Sequence, residues 1–260
     1  MILKVPTKFE ELTLVVKVYT YKPTNIRIKV IDADQPNTTF TNRTRIIEGE
    51  SSFYVRMPVS SDNVLVYVYN EDNGNLLSGQ DNTFVVDSVT KELLEKKIDV
   101  IDMANPYIKS FITFATKFCY NAGSLPTGNY QSDDKTFVIK YLPTIEDNGK
   151  EQTTPARIDI DSGIIEISKK QFIDYTIPNR MAILLHEFSH VYLNDNVDDE
   201  VEADLNALLI YLGLGYPRVE AFEVFAAAFK NSPSKLNQMR YDKIVSFIDN
   251  FEETNLYLYE

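Results

Sequence analysis

The sequence predicts an α+β protein, with an N-terminal antiparallel β-sandwich over residues 1–90 and a mostly helical domain with a small sheet over residues 91–260. Three observations predict it. Apolar residues alternate with period two through the first third, the periodicity becomes helical near Asp87, and Pro178 opens an almost unbroken run of helical spacing to the end. With 260 residues, 44% of them hydrophobic and 25% charged, the chain has material for one large core or two smaller ones.

The strands come first. Leu12, Leu14, Val16 and Val18 alternate with more polar neighbours, and Ile26, Ile28 and Val30 repeat the pattern. Phe53, Val55 and Met57 do so again, and Val64–Tyr69 forms a β-branched and aromatic run. Asn37, Gly49, Asn73 and Gly74 supply the turns expected between them. Several short antiparallel strands make a sandwich.

Beyond the boundary, Thr90–Lys97 and Pro106–Tyr120 space their apolar residues for helices, the second through Ile108, Phe111, Ile112, Ala115 and Phe118. A strand is expected over Thr136–Leu142, then a polar loop from Glu146 to Thr154. A hairpin joins Arg157–Ile160 to Ile164–Ile167 through Asp161-Ser162-Gly163. Asn179 is the expected N-cap of a helix to Leu193, and Asp198 or Asp199 that of a second helix to Leu212. Gly213 and Gly215 end that helix, Pro217 begins a third, and Pro233 precedes a fourth over Leu236–Phe251.

The formal net charge of −12 excludes a nucleic-acid footprint, which needs clustered Lys and Arg to displace counterions. The N-terminal residues lack the pattern of a signal peptide, and no window reaches the roughly 18 apolar residues that span a bilayer, so a soluble, cytoplasmic protein without membrane contact is expected. One cysteine, Cys119, allows no internal disulfide and reads as a small buried hydrophobe. With sixteen tyrosines, none stands out as a catalytic donor.

The chemistry is concentrated in His186-Glu187-Phe188-Ser189-His190. These are the only two histidines, set four apart with a glutamate between. Chance would place two histidines so about once in a hundred chains of this length, and the adjoining Glu makes it roughly tenfold rarer, so a surface helix with stray histidines is the poorer account. On a helix, residues four apart differ by about 40° and about 6 Å of rise, which lets both imidazoles meet one tetrahedral zinc ion. Glu187 shares that face and is placed to act as general base toward a zinc-bound water. Leu184, Phe188 and Val191 form an apolar stripe that anchors the helix.

A catalytic zinc normally has three protein ligands, and the remaining donor types here are carboxylates. Helix-start charges explain most of the acidic run Asp198–Asp204. Within it, Glu200 and Asp204 lie four apart on one face, beside an apolar stripe of Val201, Leu205, Leu208 and Leu212, while Glu202 points about 200° away from Glu200. Glu200 is the preferred third ligand with Glu202 its rival, and Asp204 would support a ligand histidine by accepting a hydrogen bond from it.

These residues resemble the gluzincin type of zinc metallopeptidase, in which a His-Glu-x-x-His helix precedes one carrying Glu-x-x-Ala-Asp. The match is His186–His190 and Glu200-Val201-Glu202-Ala203-Asp204, within about residues 175–230. It implies a zincin-like C-terminal domain, one Zn2+ held by His186, His190 and Glu200, Glu187 as catalytic base, Asp204 in support, and a peptide or protein substrate. It also implies an edge strand that binds extended substrate, a part assigned to Ile164–Ser168. Nine residues separate His190 from Glu200, fewer than in many gluzincins. A second resemblance rests on the absence of Trp, richness in Asn, Tyr, Ile and Asp, and the stretch Ile210-Tyr-Leu-Gly-Leu-Gly-Tyr-Pro217. The chain looks similar to metallopeptidase-like proteins of crAss-like tailed phages, which implies as the alternative a virion neck or ring component, with homo-oligomer or virion contacts through the β domain.

Overall fold

The computed structural model describes residues 1–73, 82–231 and 234–255, without the side chains of 225–231 and 252–255. Gly74 and Pro233 therefore lie outside the described residues, as do the side chains of Phe225, Ala226 and Phe229. The fold is mixed α+β and forms two compact units, the first over Met1–Glu95 and the second from Lys96 onward.

The N-terminal unit contains β1 (Ile2–Pro6), β2 (Leu12–Asp32), β3 (Thr39–Met57), β4 (Asn63–Asn70) and β5 (Phe84–Leu93), all paired antiparallel. The two separate alternating runs expected at Leu12–Val18 and Ile26–Val30 are halves of one strand. The first half of β2 lies between β3 and β5, the second between β3 and β4. The register shifts between Thr20 and Thr24, where Tyr21, Lys22 and Pro23 bulge out and Pro23 has no N–H to give the ladder. Gly49, expected in a turn, sits within β3 opposite Thr20 with φ +74, and absorbs that bend instead.

Leu14, Val16, Val18, Ile26, Ile28 and Val30 are fully buried, although the unit holds no α-helix among its described residues. Within each half of β2 the alternate residues fall on one face of the antiparallel sheet, and that face is the buried one. Each such side chain contributes roughly 1.5–3 kcal/mol by leaving water. The helical spacing read over Thr90–Lys97 belongs instead to the end of β5 and an irregular connection. Pairing of Leu12–Thr20 with Phe84–Leu93 outweighs local periodicity there.

In the C-terminal unit, α1 (Pro106–Asn121) is followed by β6 (Gly128–Gln131), β7 (Val138–Leu142), a small ribbon of β8 (Glu146–Asp147) and β9 (Lys150–Glu151), then β10 (Ala156–Ile158) and β11 (Ile165–Ser168). The helices α2 (Lys169–Phe172), α3 (Ile177–Tyr192), α4 (Glu200–Gly213), α5 (Arg218–Asn231) and α6 (Lys235–Asn255) complete it. Asn105 caps α1 by accepting from Tyr107 N at 2.9 Å, and Pro106 opens the helix. The sheet order is β10-β11-β7-β6, with β11 parallel to β7 and the other pairs antiparallel. Ile164–Ser168 is thus an inner strand. Among the described strands β10 and β6 are the edges, correcting the strand expected to meet substrate; alternation in a hairpin does not show which arm finds a second partner.

The helix carrying the two histidines is fixed from three sides. Thr176, not Asn179, is its N-cap, accepting from Asn179 N, with Pro178 in the first turn; Asn179 is already helical. Arg180 is fully buried and donates to the carbonyls of Cys119 at 2.8 Å, Ile173 at 2.8 Å and Phe172 at 3.1 Å, tying α3 to α1 and α2. Phe188 stacks on Phe111 of α1 at 4.2 Å and on Tyr192 at 5.0 Å, with Phe137 edge-on to both Phe111 and Phe188. Cys119 is buried, as expected, and burial pushes its thiol well above its ordinary pKa.

Gly163, in the β10–β11 turn, has φ +67, and a Cβ built there lies 2.6 Å from the Tyr192 hydroxyl. The ring of Tyr192 is held by Phe137, Phe188 and Tyr107, so it yields at a cost. Gly163→Ala is expected to destabilise the C-terminal unit by about 2 kcal/mol, lowering its thermal midpoint by roughly 4–8 °C. Gly149→Ala, at φ +75 with open space around it, should show the backbone cost alone. Equal shifts in the two variants would remove Tyr192 from the account.

Candidate metal centre

Helix α3 presents His186 and His190 one turn apart, and α4 packs against it. Between them, the turn Leu193–Asp199 is held by its own polar side chains. Asn194 donates to Asp199 O at 2.9 Å and accepts from Asn206 Nδ2 at 3.1 Å. Asp199 caps α4, accepting from Val201 N at 2.9 Å and Glu202 N at 3.1 Å. This tight turn is what allows the short His190–Glu200 spacing.

The turn also sorts the two candidate carboxylates. Glu202 accepts from Asp195 N at 3.0 Å and Asn196 N at 3.4 Å, so it closes the turn rather than facing the histidines. Glu200 points the other way and meets both imidazoles, with Oε2 3.6 Å from His186 Nε2 and Oε1 3.8 Å from His190 Nε2. The expected apolar stripe of α4 is shifted. Ala203, Asp204, Ala207, Leu208 and Tyr211 are buried, whereas Val201 and Leu205 are only half-buried, because the face turned to α3 must also carry Asp204.

The two Nε2 atoms are 3.1 Å apart, and potential donor atoms of His186, His190 and Glu200 all lie within 4.8 Å of one another. Each imidazole is oriented through its other nitrogen. His190 Nδ1 donates to Val197 O at 2.7 Å, and His186 Nδ1 lies 2.9 Å from Asp204 Oδ1. His190 Nδ1 is thus tied to a carbonyl and His186 Nδ1 faces a carboxylate at ion-pair distance, an arrangement that turns both Nε2 atoms toward each other and toward Glu200. One proton would reconcile the two nitrogens; a divalent cation would do so and engage the Glu200 carboxylate as well. Ligands about 2.05 Å from a tetrahedral zinc lie about 3.3 Å apart; the two Nε2 atoms are close to that at 3.1 Å, and Glu200 approaches each through a different oxygen, at 3.6 and 3.8 Å. The residues therefore fit a zinc ion. Glu200, with its side chain 41% exposed, leaves the point of convergence open to solvent.

The charges around this point are strongly coupled. Burial pulls the His186 pKa down, but the hydrogen bond to Asp204 and the nearby Glu187 and Glu200 outweigh it, and the net direction is up. For Asp204, burial raises the pKa, and His186 with Arg240 more than reverse it, so this buried carboxylate is held ionised. Burial pushes the Glu187 carboxyl above its ordinary range, against the pull of the two imidazoles and of the Ile158 N–H that donates to it. Glu187 thus reaches toward β10, the edge strand, from the same helix face as the histidines.

Two contributors were not legible in sequence. Val197 acts through its carbonyl, which no side-chain pattern announces. Arg240 comes from α6, 36 residues beyond Asp204, donates to Asp204 Oδ2 from Nε at 2.7 Å and to Oδ1 from Nη2 at 3.0 Å, and forms an ion pair with Glu200, its Nη1 3.0 Å from Oε2.

No family model matches this chain, and no curated protein matches it. Among solved structures it is similar to a functionally unknown conserved protein, in mutant form, from Bacillus anthracis str. Ames, at 14% identity and a TM-score of 0.26 over 95% of this chain. The chain spans 59% of that protein, and a likeness so distant bears on neither fold nor function.

Proposed function

We propose that the C-terminal unit is a zinc-dependent peptidase. The observation that carries this reading is the convergence of His186 Nε2, His190 Nε2 and a Glu200 oxygen on one point, with each histidine locked by a partner on Nδ1. His186, His190 and Glu200 would hold the metal. When bound, zinc lowers the pKa of a water toward neutrality and polarises a carbonyl.

Glu187 takes the proton from the attacking water and passes it to the leaving amine. Its raised pKa suits it to both halves of that task. Asp204 and Val197 O keep the imidazoles in the tautomer that offers Nε2. β10, an edge strand whose Ile158 N–H is engaged by Glu187, would lie alongside an extended peptide substrate. The N-terminal unit is assigned the recruitment of substrate or partner proteins.

The test is zinc content on protein purified without added metal. About one zinc per chain is expected in the wild type, reduced at least tenfold in His186→Ala and Glu200→Ala but retained in Glu202→Ala. A wild type that stays metal-free when supplied with zinc would discard the reading and leave a non-enzymatic assembly component, such as a phage neck or ring protein, as the account of the chain.

A further inference from the structure

We propose that Arg240 is a positioning residue for the metal site, one that selects which oxygen of Glu200 becomes the ligand and assembles the site before metal arrives. The inference rests on the zinc reading above and concerns a residue outside both sequence motifs.

The guanidinium spends its fork on two carboxylates at once. Nε and Nη2 grip both oxygens of Asp204, and the remaining Nη1 holds Glu200 Oε2 at 3.0 Å. Its side chain is only 13% exposed, and Asp204's only 1%, so these bonds are formed largely out of water. The ion pair with Oε2 leaves Oε1 as the oxygen of Glu200 without this competition, which favours one-oxygen ligation and keeps a coordination position open for water. The bond to Asp204 fixes the carboxylate against which His186 Nδ1 rests at 2.9 Å. One side chain therefore orients two of the three proposed ligands, one directly and one through Asp204.

The same arrangement solves a charge problem. The Asp204 and Glu200 carboxylates lie on the same side of the site, both within 3.0 Å of the one guanidinium. Arg240 supplies a permanent positive charge there that a lysine, a single point charge without the planar fork, does not reproduce in geometry. It also makes α6 part of the site.

Zinc affinity measured by competition with a chromophoric chelator, and the visible spectrum of the cobalt-substituted protein, test this directly. Arg240→Ala is expected to weaken zinc binding roughly 10- to 100-fold, with Arg240→Lys recovering only part of the loss. The cobalt bands of Arg240→Lys should differ from those of the wild type in position or intensity, a change that a purely structural role for Arg240 would not bring. Should Arg240→Ala not fold, the lysine variant and its cobalt spectrum carry the test. Wild-type zinc affinity and cobalt bands in a folded Arg240→Lys would overturn the inference while leaving the zinc reading intact; absence of metal from the wild type would overturn both.

Discussion

Glu187→Gln is expected to lower peptide hydrolysis by roughly 10²- to 10⁴-fold while leaving about one zinc per chain, the largest effect anticipated for any single substitution. The size follows from the role. A positioned general base acts in the transition state, so its removal appears in kcat rather than in KM. The amide has the shape of the carboxyl group and still offers an oxygen to the Ile158 N–H, but it cannot take a proton from water. Because the native carboxyl is buried at a cost that raises its pKa, neutralising it should leave the thermal midpoint unchanged or slightly higher. Activity assays on a peptide library, with metal analysis and thermal melts of the same preparations, check all three points. Full turnover in a zinc-loaded Glu187→Gln protein would remove Glu187 from the chemistry and, with it, the peptidase mechanism.

The second large effect is on stability. On the proposed reading zinc would bind the folded site and find no preformed site in the unfolded chain, so saturation at a thousandfold above Kd is expected to contribute about 4 kcal/mol. For a unit of this size that corresponds to a thermal midpoint roughly 8–16 °C higher with metal than after chelation. The physical source is local: without a cation, two Nε2 atoms 3.1 Å apart face each other beside a carboxylate. Calorimetry in excess chelator and in excess zinc measures the difference. The shift should vanish in His190→Ala, and a wild-type midpoint indifferent to both reagents would mean that the cluster holds no zinc.

Much of the site is legible in the sequence because its first half is local. His186, Glu187 and His190 share one helix face by the arithmetic of 3.6 residues per turn, and no tertiary contact is needed to place them together. Asp199 as the cap of the next helix is equally local, since an aspartate before a helical run satisfies the free N–H groups behind it. The choice of Glu200 over Glu202 was open on paper. Their directions differ by about 200°, but which of them faces the histidines depends on how α4 docks on α3.

Docking is a matter of long-range packing, and there the sequence is silent. Gly49 looks like a turn because turns and bent strands use the same left-handed backbone, and only the pairing of Thr20 with Gly49 makes it a kink in one long strand. Thr90–Lys97 has helical spacing, but β2 recruits its first half into a sheet. Ile164–Ser168 and Ala156–Ile158 alternate alike, and the parallel partner β7 alone makes the former an inner strand and the latter an edge. Arg240 is one arginine on a polar helix until α6 brings it against Asp204. Fold class and the helix that sets His186, Glu187 and His190 on one face follow from periodicity and spacing within a few turns of chain. The tertiary structure decided the facing carboxylate, the free edge and the arginine that holds the acids in place, because each depends on contacts between residues distant in sequence.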